Sequence, residues 1–106
     1  MNYEKIPEST RFLIIGLGLM GGSYARALKK QGFTVEAIDK NIDAIEYALD
    51  KDIIDVGSTV TTEEAVKRAD IIVFALYPHI FLEWLDKYRD FIRKDTDGRF
   101  QTAFRI

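Results

Sequence analysis

The sequence predicts an α/β fold, a parallel sheet with crossover helices, and three observations carry that prediction. Two runs, Phe12–Ile15 and Ile71–Leu76, are apolar throughout, as strands covered on both faces must be. Helix-period segments alternate with the extended ones from residue 11 to residue 92. A cluster of glycines stands where the first apolar run hands over to the first helical segment.

Each element follows from local chemistry. Residues 1–9 are polar and read as an N-terminal extension to a single domain over 1–106. Residues 11–16 form the first strand. Residues 20–31 form a helix closed by Gly32, with Lys29 and Lys30 in its last turn complementing the helix dipole. Residues 33–38 form a second strand that ends at Asp39. Asn41 caps a helix over 42–51. Ile53, Ile54 and Val56 make a short extended piece. Thr61 and Glu64 have capping-box spacing, which predicts a short helix over 62–69. The strand 71–76 follows, and Pro78 suits a helix start because its missing N–H is not needed there. Phe81, Trp84, Leu85, Tyr88 and Ile92 recur at helical spacing, a stripe that reads as core packing. Asp95 to Gly98 reads as a turn. Phe100, Thr102, Phe104 and Ile106 then alternate with polar or small residues. The segment 94–106 is thus an atypical tail or an edge strand with one wet face. About half of a doubly wound sheet is expected.

The residues Gly16-Leu17-Gly18-Leu19-Met20-Gly21 fit G-x-G-x-x-G. Such a match is weak alone, but here it follows a strand and opens a helix. Asp39 closes the next strand near the spacing of about 20 residues that the fingerprint requires. Gly16 permits the tight turn. Gly18 lets a diphosphate reach the backbone, and Gly21 lets the helix pack on the sheet. The Leu19 and Met20 amides would face the phosphates at the positive helix end. Asp39 would accept hydrogen bonds from the adenine ribose and repel a 2′-phosphate, which favours NAD, while Lys40 beside it keeps NADP open. A methyltransferase also ends its first strand in glycines, but the third glycine at helix-packing distance favours the dinucleotide. The fold is therefore Rossmann-like.

Ala75, Leu76, Tyr77 and Pro78 lie at the carboxyl end of a central strand, the edge where open parallel sheets bind ligands. They are expected to flank the cofactor toward the nicotinamide ribose. Tyr77 either covers the ligand or packs over the strand end. His79 is read as an exposed first-turn histidine, because no carboxylate with an evident orienting role stands near it in the sequence. No catalytic residue is assigned.

Composition removes other classes. A net charge of −2 offers no basic excess for nucleic acid or for a polybasic membrane surface. No cysteine and a single histidine exclude disulfides, thiolate chemistry and zinc sites built on sulfur or on several histidines within one chain. The apolar runs are too short to span a bilayer, and the first ten residues are too polar for a signal peptide, so a cytoplasmic protein is expected. The open sheet edge favours pairing with a second copy.

Gly-Leu-Gly-Leu-Met-Gly-Gly-Ser at 16–23, Ala-Ile-Asp-Lys-Asn at 37–41, Ile53-Ile54-Asp55 and Ala-Asp-Ile-Ile-Val-Phe-Ala at 69–75 together resemble the N-terminal domain of prephenate dehydrogenases. The resemblance covers roughly 10–93. It implies oxidative decarboxylation of prephenate or arogenate in tyrosine biosynthesis, with hydride passed to NAD or NADP. It also implies that Gly16, Gly18, Leu19, Met20 and Gly21 hold the diphosphate and Asp39 the ribose. Residues 97–106 depart from the family's strand at this point. The family's serine- and lysine-bearing segment, its catalytic histidine and its helical substrate domain have no counterpart here. The chain alone is thus expected to bind cofactor without turnover. A non-enzymatic NAD-sensing or interaction module is the alternative.

Overall fold

A computed structural model of the chain describes residues 6–92 and 101–106. Five strands and four α-helices alternate: β1 (Arg11–Ile15), α1 (Leu19–Lys30), β2 (Thr34–Ile38), α2 (Ile42–Asp50), β3 (Val56–Ser58), α3 (Glu63–Arg68), β4 (Ile71–Phe74), α4 (Pro78–Tyr88) and β5 (Thr102–Arg105). All strand pairs are parallel and the sheet order is β3-β2-β1-β4-β5. Among the described residues the five strands thus follow the doubly wound order.

Strand alternation divides the core. Phe12, Ile14, Val35, Ala37 and Val73 face α1 and α2, where Ala25, Leu28, Ile45 and Ala48 meet them. Leu13, Ile15, Ile38, Ile72 and Phe74 face α3 and α4, where Val66 and Trp84 meet them. Leu13, Ile14 and Ile72 have no exposed surface, which is why the apolar runs of β1 and β4 carry no polar alternation. The aromatic stripe of α4 is core as expected, with Phe74 edge-on to both Phe81 and Trp84. The α-helix closes at Tyr88 and a 3-10 turn, Arg89–Phe91, follows.

A charged group enters this core. Glu36 on β2 is 4% exposed, and Arg68 at the end of α3 grips both carboxylate oxygens at 2.8 and 2.6 Å. The planar guanidinium fork satisfies the buried charge in two directions at once. On the other face Asp55 fixes the β2 edge, accepting from the Val35 N–H at 2.8 Å and from Lys29 Nζ at 2.6 Å. Burial alone would raise the Asp55 carboxyl, but the Lys29 and Val35 hydrogen bonds overcome it and hold it below its ordinary range.

Two local expectations are corrected. The α3 cap is Thr62, whose hydroxyl accepts from the Ala65 N–H at 3.2 Å, and not Thr61. Thr62 has the extended backbone a cap needs, and Thr61 turns instead to the carboxyl edge of the sheet. Ile53 and Ile54 are buried in the turn after α2, outside β3, where the Ile53 N–H bonds the Ala48 carbonyl at 2.8 Å.

The tail joins the sheet. Thr102–Arg105 pairs with Ile71–Phe74 at the sheet's end, and Phe104 meets the Tyr24 ring edge-on at 6.2 Å. Ala103 and Arg105, on the face expected to be wet, are exposed, and so is Thr102 on the opposite face, where Phe104 is half-buried. Ahead of β5, the Gln101 amide donates to the Val66 and Ala69 carbonyls at 2.7 and 2.8 Å, closing the end of α3. The expected turn at 95–98 and Phe100 lie outside the described residues, as do 1–5 of the expected N-terminal extension.

Candidate functional site

The carboxyl ends of β1, β2 and β4 converge on the glycine turn. The Gly16 N–H bonds the Ile38 carbonyl at 2.8 Å, and the Ala75 N–H bonds the Ile15 carbonyl at 2.8 Å. Gly16 has φ +101°, a conformation that a side chain resists. A β-carbon there would also stand 2.5 Å from the Ala75 carbonyl oxygen. At Gly21 a β-carbon would stand 1.9 Å from the Gly16 carbonyl oxygen, so α1 lies against its own turn with no room for a methyl group.

Gly18 differs from both. Its backbone is ordinary (φ −65°), and an added β-carbon would meet nothing within 4 Å. No contact within the protein requires glycine at 18. The space it leaves opens onto a cleft.

Gly18 is also the N-cap of α1, and no side chain caps the helix there. The first turn of α1 carries no acid. By contrast, Asn41 caps α2 and Thr62 caps α3, and both of those helices carry acids in their first turns. The opening amides of a twelve-residue helix are thus left for an external acceptor at the end of positive dipole. The Leu19 and Met20 side chains stand largely in solvent, so their apolar character serves no core.

Asp39 is bound into this turn. Its carboxylate accepts from the Leu17 N–H at 2.7 Å with one oxygen and from the Asn41 N–H at 2.8 Å with the other. Its own N–H bonds the Ser58 carbonyl at 3.1 Å. The first of these bonds joins the end of β2 to the start of the glycine turn. Each carboxylate oxygen retains a lone pair for a further donor.

A cleft of about 510 Å³ gathers Gly16, Gly18, Leu19, Met20, Gly21, Asp39, Ala75, Leu76, Tyr77 and Pro78. Lys40 lies outside it and lines an adjoining cleft of about 460 Å³, which shares Gly16, Asp39, Leu76 and Ile80 with the first. Tyr77 is 76% exposed, so it does not pack over the strand end; its ring lies nearly parallel to that of His79 at 6.4 Å. His79 is exposed in the first turn of α4, as the sequence indicates. Among the described residues, no group of three or more histidine, cysteine, aspartate or glutamate side chains is placed to hold a metal. No helix among them is long and apolar enough to cross a membrane.

Sequence reasoning missed part of this lining. Thr59, Val60, Thr61 and Ile80 border the second cleft, with Trp84 and Tyr88 at its base. Thr59 to Thr61 carry no motif, yet they follow directly on β3, and all parallel strands end at the same edge of the sheet. That topology was the available signal.

Residues 11–80 match the family described as the NAD binding domain of 6-phosphogluconate dehydrogenase. The chain belongs to this family of NAD-binding domains. Within that frame its similarity runs to prephenate dehydrogenases. It is 36% identical over 86 residues to the prephenate dehydrogenase of Lactococcus lactis, covering 80% of this chain and 24% of that relative. The structure of prephenate dehydrogenase from Aquifex aeolicus in complex with hydroxyphenyl propionate and NAD+ superimposes with a TM-score of 0.76 at 28% identity. The match covers 95% of this chain and 34% of that one. Synechocystis arogenate dehydrogenase shares the fold, with a TM-score of 0.78 at 20% identity over 92% of this chain and 32% of that one. The chain therefore spans a quarter to a third of the length of these relatives. NAD is the cofactor of the family, as the sequence leads one to expect.

Proposed function

We propose that this chain is the single cofactor-binding domain of a prephenate- or arogenate-dehydrogenase-like oxidoreductase that serves tyrosine biosynthesis in the cytoplasm. The observation that carries the reading is the pairing at Gly18: an open space where a β-carbon would be, beside helix amides that no side chain caps. A diphosphate fits both features, since it needs close approach to the backbone and donors for its oxygens. Gly16 and Gly21 keep the turn tight, while the Leu19 and Met20 amides donate. Asp39 accepts from the adenine ribose and disfavours a 2′-phosphate, with Lys40 at the neighbouring wall. Ala75 to Pro78 border the half of the cleft toward the nicotinamide. When bound, NAD supplies the hydride acceptor for oxidation of the substrate. The contribution of this chain is to bind and orient that acceptor; the groups that hold prephenate or arogenate belong to a further domain. The edges at β3 and β5 offer a route to pairing with a second copy.

Calorimetric titration of NAD and NADP into the wild type and Asp39→Asn tests the assignment. Asparagine keeps an acceptor for the Leu17 N–H and removes the charge. We expect the wild type to prefer NAD. We expect the variant to lose roughly tenfold in NAD affinity, the worth of a charge-assisted hydrogen bond, and to narrow the gap to NADP. Equal affinities before and after would remove Asp39 from the site. With prephenate and NAD present, the 106-residue chain should form no NADH; measurable turnover would overturn the claim that catalysis needs a further domain.

A further inference from the structure

The cleft contains one charged group that neither the glycine motif nor the strand-end pattern indicates. Arg105, the last residue of β5, stands opposite Phe74 in the register, and Phe74 stands opposite Ile15, the residue before the glycine turn. Two strand spacings of about 4.8 Å therefore separate Arg105 from that turn, and both line the same cleft.

The charges of the lining are unbalanced without it. Asp39 and Arg105 are the charged side chains bordering this cleft, and a dinucleotide brings two negative charges on its diphosphate. An acidic wall facing a dianion would repel it; Arg105 offsets Asp39 on the opposite side. The guanidinium carbon lies 5.8 Å from the centroid of the Phe81 ring, a contact that limits its motion without using its N–H donors. Among the described residues, no carboxylate pairs with it. A planar fork of donors suits two phosphate oxygens better than an ammonium would. The competing role is a charge that blocks edge-to-edge pairing of strands. That role asks only for a charge on the edge; it does not require a place in the cleft.

We infer that Arg105 is a further binding residue of the dinucleotide site, its guanidinium contacting the diphosphate from the β5 side. The inference rests on the dinucleotide reading above and adds a contact from a strand outside the motif.

ADP-ribose is the probe, because it carries the diphosphate and lacks the nicotinamide. Affinities for ADP-ribose and NAD are measured by calorimetry on the wild type, Arg105→Gln and Arg105→Lys, at low and high salt. The expected result is a roughly tenfold loss of both affinities in Arg105→Gln, partial recovery in Arg105→Lys, and a smaller difference from wild type at high salt. Because Arg105 is exposed, both variants should keep the wild-type circular dichroism and melting temperature. Unchanged affinities in Arg105→Gln would overturn the inference alone. Loss for NAD without loss for ADP-ribose would also overturn it, by placing the guanidinium on the nicotinamide side. A wild type that binds neither ligand would overturn the dinucleotide reading and this contact with it.

Discussion

Gly21→Ala should destabilise the protein by about 1–3 kcal/mol, the range expected when a packed interface is overfilled. The sign is the informative part. Gly21 lies inside α1, and on helix propensity alone alanine there would stabilise by about 1 kcal/mol. The added methyl would instead stand 1.9 Å from the Gly16 carbonyl oxygen and 3.0 Å from the Ala75 β-carbon. The Gly16 carbonyl cannot give way freely, because its residue is held at φ +101° and tied to β2 by its N–H bond to the Ile38 carbonyl. The helix must therefore withdraw from the sheet and take Ala25 and Leu28 partly out of the core. At about 4–8 °C per kcal/mol for a domain near this size, a thermal melt should show a fall of roughly 4–24 °C. A melting temperature at or above that of the wild type would mean that α1 does not rest on the turn as described.

Gly18→Val should do the reverse: leave the fold nearly intact and abolish binding. Valine can adopt the backbone at residue 18, and its β-carbon enters open space. Loss of glycine at the N-cap costs up to about 1 kcal/mol, so the melting temperature should drop by only a few degrees. The isopropyl group would occupy the space through which a diphosphate reaches the helix amides. Two charge-assisted hydrogen bonds, worth about 1.5–3 kcal/mol each, would be lost. Affinity for NAD should fall at least about 100-fold. The two glycines thus separate: one is required by the protein, the other by what the protein binds.

The glycine turn and its acidic partner were legible because their spacing is local and each glycine answers one geometric need. The apolar runs of β1 and β4 were legible because strands buried on both faces admit no polar residue. The cap of α3 was misread by one position, since Thr61 and Thr62 offer the same side chain and only the backbone path decides between them. The period-two pattern after residue 100 revealed β5 as an edge strand. It gave no sign that Gln101 closes α3 or that Arg105 enters the cleft. Both depend on β5 lying beside β4, a neighbour more than two helical turns distant in sequence and fixed by the sheet order. The second cleft escaped for the same reason: Thr59, Ile80 and Trp84 meet only after three crossovers are made.

An alternative cavity of about 520 Å³ lies between α1 and α2, lined by Ser23, Ala44, Tyr47 and Ile53 and bordered by Leu17, Gly18 and Leu19 of the glycine turn itself. Backbone amide chemical shifts during NAD titration of isotope-labelled protein distinguish the two places residue by residue. The strongest perturbations should fall on Leu17 to Gly21, on Asp39 and on Ala75 to Tyr77. If they cluster instead on Ser23, Ala44 and Tyr47, with Gly16, Asp39 and Ala75 to Tyr77 unmoved, then the dinucleotide does not lie in the cleft at the carboxyl edge of the sheet.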